Sequence, residues 1–401
     1  KETIVSLALQ SGSGGRIGVS GTASALDLDS RTLAGVSNRA TLTAGKIGIS
    51  ANEDMFVWSV AGAVAMSDSI SVGLSVAYQQ MDTDTHAFIG EVPVDFKTGS
   101  SAATGQVNTG ELSVKAGSEG LSGAVAAAGA IAKSSSQQLK EQQDALAQKQ
   151  NAENPGFLDS LKTRALGKVT ALEGMAKKAD SDGNAGLTSY FDKAKGLLGS
   201  GSGQPGQGAQ TPQPKFGISL SGSATVNRAR QNTKADVSDA VVKDNSGNGV
   251  KLDIAAINKT LLVSISGALS VTAAGSDNTQ GSASLAGGVA YGDIQNETTA
   301  GLLESNVQDA GEVSVTARNE SEQVTVGLSV GVNASTDQTT AGAAAISATV
   351  AMSKNETVAT VRGSSIQGKA GAAGDVDVKA VNESKIANGG GALYAGGKAG
   401  M

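Results

Sequence analysis

The chain has no cysteine, one histidine and one tryptophan in 401 residues. Without cysteine there is no disulfide framework and no thiolate metal site. Export remains open, because many exported bacterial β proteins need no disulfides. Large side chains are scarce: 6 Phe and 4 Tyr accompany the single Trp. Ordinary cores lean on aromatics, which bury about 150–250 Å² each. Here the apolar content is mostly Ala and Val, and Gly reaches 54, well above a usual share of roughly 7%. Small apolar residues plus glycine suit a thin, stacked core. The net charge is −6 and the pI about 5.0, so the chain as a whole carries no electrostatic footprint for nucleic acid. No run of about 18 apolar residues occurs, so no membrane-spanning segment is expected. The chain opens at Lys1 with neither methionine nor a signal peptide, which marks it as a piece of a longer protein or a processed one.

What is present is a repeat. Gly311-Glu312-Val313-Ser314-Val315-Thr316-Ala317-Arg318-Asn319 returns at Gly374–Asn382 and, earlier, at Gly249–Asn258. Shorter copies begin at Gly110 and Gly45. Gly249, Gly311 and Gly374 recur at nearly equal intervals, and Gly45 precedes Gly110 by almost the same interval. Gly110 to Gly249 is longer, one period plus an insertion. After each anchor comes a Gly-punctuated strand, such as Val263–Val271 or Val326–Val332. An Ala/Gly-rich strand follows, as at Ala283–Ala290 and Ala343–Val350, and then an Asn-Glu-Thr at 296 or 355.

Strict apolar/polar alternation bounded by Gly and Asn is a strand signal. The fold class expected is all-β, a parallel β-helix (β-solenoid), with residues 1–133 and 215–401 forming one continuous stack. A single unit cannot bury its own apolar face, so units stack on one another. Alternation points Val313, Val315 and Ala317 inward and Ser314, Thr316 and Arg318 outward. The repeat interval divides into three coils of about 20 residues, a usual solenoid length. At roughly 4.8 Å per coil, about 15 coils predict a rod on the order of 70 Å long. Gly249, Gly311, Gly374 and Asn258, Asn319, Asn382 are read as structural turn positions of this stack.

The period changes between residues 134 and 198. Leu158, Leu161, Ala165, Val169, Leu172, Ala176 and Ala179 share one helical face, with Pro155 placed for a helix start. This predicts an inserted α-helical hairpin or small helical module, followed by a flexible linker over 199–214 containing Pro205, Pro212 and Pro214. The module flanks its apolar face with Lys162, Arg164, Lys168 and Lys177. Together with Leu158 and Leu161, these are the candidate contacts for a partner or membrane, against the plainer reading of a hairpin folded on itself.

Chemistry-bearing residues are sparse. His86 is the one histidine, and no partner pattern accompanies it, so a solvated surface residue is expected. Carboxylate pairs at Asp27/Asp29, Asp82/Asp84 and Asp375/Asp377 sit at i, i+2 and share a strand face. That geometry could serve acid–base chemistry, but outward strand positions are polar by default. Asn258, Asn296, Asn319, Asn355 and Asn382 each head an Asn-x-Ser/Thr triplet, readable as glycosylation acceptors or, better, as turn residues. No catalytic residue, cofactor or metal site is assigned, and the chain is expected not to be an enzyme. Trp58, with Phe56 before it, is expected to be packed rather than exposed.

The recurring Val-x-Val-x-Ala-x-Asn strand, the Val-Gly-Leu-Ser-Val-Gly strand and the Asn-x-Thr triplet resemble the filamentous-haemagglutinin-type and leukotoxin-type exported adhesins of Gram-negative bacteria. The resemblance covers all of the chain except the helical insert and its tether. It implies a right-handed β-helical stem, an extracellular or cell-surface location and no enzymatic site in the stem. The functional expectation is a structural or adhesive rod segment displaying a lateral module. The alternatives are part of a secreted toxin contacting a host membrane or receptor and, less favoured, a polysaccharide-active β-helix enzyme. Expected partners are a host or bacterial cell-surface ligand and, through unpaired strand edges, other copies joined end to end.

Overall fold

The computed structural model describes residues 2–37, 40–90, 105–134, 215–274, 279–335, 341–369 and 374–396. Among them every regular element is a β-strand: β1 (Glu2–Gly14), β2 (Ile17–Ser37), β3 (Thr41–Thr43), β4 (Lys46–Ser67), β5 (Ile70–Gly90), β6 (Gly105–Asn108), β7 (Glu111–Ser134), β8 (Lys215–Ser238), β9 (Ala240–Lys243), β10 (Val250–Ala274), β11 (Thr279–Leu303), β12 (Asn306–Ser335), β13 (Ala341–Arg362), β14 (Ser365–Gly368) and β15 (Asp375–Gly396). The expected helical module at 134–198 and linker at 199–214 lie outside the described residues, apart from Ser134, which ends β7.

All pairing is parallel. One sheet runs β1-β4-β7-β10-β12, with β15 continuing beyond β12, and the second runs β13-β11-β8-β5-β2. Short strands β3, β6, β9, the start of β12, and β14 form a third, narrow side. A coil is therefore one long strand in the first sheet, a reversal, one long strand in the second, and a short closing strand. Gly110 N donates to Gly45 O, and Lys251 N to Gly110 O, so the anchor glycines stack. The register places Lys46, Glu111, Lys251, Glu312 and Asp375 in one column.

This corrects the subdivision of the repeat. The whole interval from one anchor glycine to the next is one coil with two long sides, not three short coils. Five coils and one further strand at about 4.8 Å each give a stack of only about 25 Å. The strands, 21 to 25 residues long in β5 and β10, extend about 70–80 Å across it. The molecule is a broad two-layer slab. The Gly-punctuated strands are parts of longer ones: Gly267 is within β10, and Gly327 and Gly331 are within β12.

The two halves of each long strand obey opposite rules. In the half nearest the short strands the interior is apolar. Leu112, Leu252, Ile254, Val313, Val315 and Leu302 are fully buried in one cluster with Val107, Val242 and Val307 of the third side. In the far half the interior is small and polar. Ser59, Ser75, Ser122, Ser223, Ser266 and Ser270 are buried, while Val64, Leu269, Leu328 and Ile346 face solvent. A middle belt of Met55, Val57, Met81, Leu262 and Ile294 separates them.

The polar interior works because the sheets approach closely there. Ser270 Oγ donates to Ser219 O at 2.7 Å, Ser75 Oγ to Ala61 O at 2.8 Å and Ser329 Oγ to Ile346 O at 2.7 Å, each from one sheet to the other. Every buried hydroxyl so bonded avoids the roughly 1–3 kcal/mol cost of an unsatisfied group. A side chain on Gly73 would collide with the Gly129 carbonyl of the opposite sheet.

The corner between the second sheet and the short side is turned by a left-handed residue in successive coils: Asp239 (φ 48°), Glu304 (φ 47°) and Gly363 (φ 61°). The reversal at the opposite end takes two residues between β1 and β2 and between β4 and β5, but spans 135–214 between β7 and β8. The insertion therefore leaves the stack at a coil end, and Lys251–Ala274 still pairs in register with Glu111–Ser134 across it.

Candidate functional site

The charged residues of the long strands gather on the outer faces of the half whose interior is apolar. Parallel in-register stacking puts like positions of successive coils next to each other, so signs must alternate or repel. Lys46 Nζ lies 2.7 Å from Glu111, Lys251 Nζ 3.0 Å from Glu312 and Lys115 Nζ 2.8 Å from Asp253 on the first sheet. On the second, Arg31 Nε lies 3.1 Å from Asp84 and Lys234 Nζ 3.0 Å from Glu297. Glu312, bonded to Lys251, raises the lysine above its usual range. These exposed pairs specify register more than they stabilise.

The carboxylate pairs fall into this pattern. Asp29 and Asp82 are register neighbours, and Asp84 is held by Arg31 and by Asn232 Nδ2 at 3.2 Å. Asp375 stacks on Glu312 and Asp377 on Ser314. A shallow trough of about 340 Å³ lies over Asp29, Asp82, Asp84, Arg230 and Lys354 on the second sheet. Another, about 720 Å³, lies on the first sheet over Asp54, Glu119, Lys259, Glu320 and Glu383. Both are open furrows between columns of side chains. Among the described residues no three His, Cys, Asp or Glu converge as a metal site.

His86 departs from its expectation. Its side chain is only 13% exposed, its Nε2 contacts Asp236 Oδ1 of the next coil, and its ring packs against Phe88 at 5.1 Å. Coil stacking brings residue 236 beside residue 86, a partnership too distant along the chain for local spacing to reveal.

The asparagines depart further. Asn258, Asn319 and Asn382 lie inside β10, β12 and β15, not at turns. Asn258 and Asn319 are fully buried. Asn296 Nδ2 donates to Asn319 Oδ1 at 2.9 Å and to Thr260 Oγ1 at 3.0 Å. Asn319 Nδ2 donates in turn to Asn382 Oδ1 at 2.8 Å. These side chains form a polar ladder between the apolar cluster and the middle belt, and enclosure removes Asn258, Asn296 and Asn319 as glycosylation acceptors in the folded chain. Of the expected turn glycines, Gly249 (φ 92°) precedes β10. Gly374 directly precedes β15, and Gly311 lies within β12 where its register with β10 shifts.

The candidate contacts Leu158, Leu161, Lys162, Arg164, Lys168 and Lys177 lie outside the described residues. What sequence reasoning missed is the outer face of the far half. Met55–Ser67, Gly120–Ala132, Thr260–Thr272, Ile70–Met81 and Ser282–Gly292 contain no Asp, Glu, Lys or Arg, and their outward columns are apolar. At the border with the charged half stand Phe56 and Trp58, stacked at 6.2 Å, on the first sheet and Tyr78 and Tyr291 on the second. Trp58 is half-buried, its ring lying over Gly123 of the next coil. Tyr78 Oη donates to Gln80 Oε1 at 2.8 Å, and Arg228 sits 5.7 Å from the Tyr291 ring. Burial, with neighbouring Asp293, pushes the Tyr291 phenol above its usual range. The missed signal was the absence of charge along the same half of the strand in repeat after repeat.

Among the described residues no helix is long and apolar enough to cross a membrane. Comparison with protein-family models, curated proteins and solved structures returned no match.

Proposed function

We propose that the chain is a structural or adhesive segment of a large extracellular bacterial surface protein, built as a right-handed parallel β-helix with a lateral module at 134–198. It acts by spacing and presenting surfaces rather than by catalysis. The observation that carries this reading is the continuous parallel ladder from β1 to β15, kept through every coil and across the insertion. Such a ladder extends without limit in principle and suits a stem. Right-handedness follows the strong preference of parallel crossovers, about 98%. Specificity is assigned to the one long non-repetitive stretch, 134–214.

The test is display. An antibody to the folded chain labels intact cells of the producing bacterium, and beads coated with the chain retain bacterial or host cells. Deleting 134–214 lowers retention while leaving the stack folded. Labelling only after lysis, with no retention of any cell type, would overturn the proposal.

A further inference from the structure

We infer that the charge-free half of the slab is a lipid-facing surface, its two outer faces lying against the hydrocarbon interior of a bilayer. The inversion of the strands supports this independently of the stem reading and of the insertion. Along Thr260–Thr272 the inward positions are Thr260, Leu262, Ser264, Ser266, Ala268, Ser270 and Thr272, all buried. The outward ones are Leu261, Val263, Ile265, Gly267, Leu269 and Val271. The same alternation, polar or small inside and apolar outside, runs through the other strands of both sheets at this end. It is the opposite of a water-soluble strand and matches a membrane strand, whose outward positions face lipid.

Dimensions and chemistry choose lipid over a protein partner. Glu322 and Lys385 share the Phe56 row, so the charge-free rows run from Trp58 to Met66, about 26 Å, against the apolar band of about 25 Å on membrane strands. Six strands at about 4.8 Å make the first sheet's band roughly 750 Å², beyond the few hundred Å² that soluble monomers expose. Exposure persists away from the slab's first and last coils: Leu269 is 43% exposed and Val64 38%. Both faces are apolar, whereas a docked protein would cover one. The band is bounded on both sides by polar groups: the charged columns beyond Phe56 and Tyr78, and the reversals Gly15-Arg16 and Asp68-Ser69. Aromatics mark the inner border on both faces at one level, since Gln79 beside Tyr78 bonds to Val57 O beside Trp58 at 3.1 Å. That is where membrane proteins carry their aromatic girdle.

Backbone groups inside the band are bonded in the ladders, as hydrocarbon requires. The outermost strands, β1 and β2 on one side and β13 and β15 on the other, are the exception. A bilayer tolerates no open edge, so in the inserted form further strands pair with these edges.

The single tryptophan supplies the test. The full chain is mixed with vesicles of phosphatidylcholine and phosphatidylglycerol and separated by flotation. The expected result is co-flotation with a blue-shifted Trp58 emission, quenched more by lipids brominated near the headgroup than by lipids brominated at the chain end. Leu328→Lys, at mid-band and 53% exposed, should keep the folded circular-dichroism spectrum. It should reduce vesicle binding at least about tenfold, as a lysine at mid-bilayer depth demands. Thr316→Lys, outward in the charged half, should leave binding unchanged. A chain that stays with the soluble fraction overturns the proposal, as does flotation untouched by Leu328→Lys. Soluble face-to-face oligomers that Leu328→Lys dissociates would reassign the band to a protein interface.

Discussion

Asn319 donates its side-chain amide to Asn382 one coil above, at 2.8 Å, and accepts from Asn296 of the facing sheet at 2.9 Å. It is thus a link along the stack and across it, at the level between the aliphatic cluster and the middle belt. Replacing it with Ala leaves one donor of the buried Asn296 without a partner, while Asn382, exposed on β15, turns its freed acceptor to water. The expected loss is about 1–3 kcal/mol, read as a lower midpoint in denaturant-induced unfolding. An unchanged midpoint would mean that the ladder contributes nothing to the stack.

Glycine matters where the sheets nearly touch. Gly73 faces the Gly129 carbonyl with no room for a methyl group, whereas a Cβ on Gly48 meets nothing within 4 Å. Gly73→Ala should therefore destabilise by about 1–3 kcal/mol through forced separation of the sheets, and Gly48→Ala should be close to neutral. Equal thermal shifts for the two variants would contradict the close approach.

Glu304 holds a left-handed backbone (φ 47°) at a corner where the next coil uses Gly363. A non-glycine residue there costs about 1–2 kcal/mol. Glu304→Gly removes that strain but frees the unfolded chain, so a net gain of roughly 0.5 kcal/mol is expected. A lower melting temperature would show that the carboxylate is worth more than the strain.

The turn before β10 gives a pH prediction. For Asp244, burial is the largest single influence and favours the neutral acid. Hydrogen bonds from Ser246 Oγ and from the amides of Gly249, Ser246 and Gly247 together outweigh it, lowering the pKa from 3.8 to about 2. The folded value is depressed, so the contribution is fully present above the ordinary carboxylate pKa and is lost as pH falls toward the folded one. The site lies near solvent, so the effect is discounted to about 1 kcal/mol. Asp244→Asn should flatten the stability–pH curve in that window and leave it unchanged in shape at neutral pH.

Much of the fold was legible in the sequence. The spacings of Gly45, Gly110, Gly249, Gly311 and Gly374 track the coil, and Val313, Val315 and Ala317 point inward as alternation requires. The coil's internal division was not legible. The strands read as separate, Val263–Val271 and Val326–Val332 among them, are parts of the long β10 and β12, whose Gly267, Gly327 and Gly331 sit where a side chain is unnecessary or would strike the facing sheet. The inversion was hidden because alternation gives a period and not a direction. Val263-Ser264-Ile265-Ser266 reads the same with valine in or out, and only the missing charges tell the two apart. His86 and Asp236, like the asparagine ladder, depend on coil-to-coil neighbours. These contacts follow once the coil length is known, and a coil one third as long misplaces all of them.

Coil length is therefore the quantity to measure. Ser314 and Asp377 are outward register neighbours on successive coils. Ser314 and Ala334, which the shorter coil would stack on one another, instead lie far apart along the same strand, β12. The chain has no cysteine of its own, so paired substitutions report cleanly. Oxidation of the Ser314→Cys/Asp377→Cys protein should close an intramolecular disulfide, since adjacent strands lie within the usual Cα separation of about 4.4–6.8 Å. The Ser314→Cys/Ala334→Cys protein should stay unlinked, its sites about 66 Å apart. A crosslink in the second protein and none in the first would restore the short coil and remove the slab, its inverted half and the lipid-facing band together.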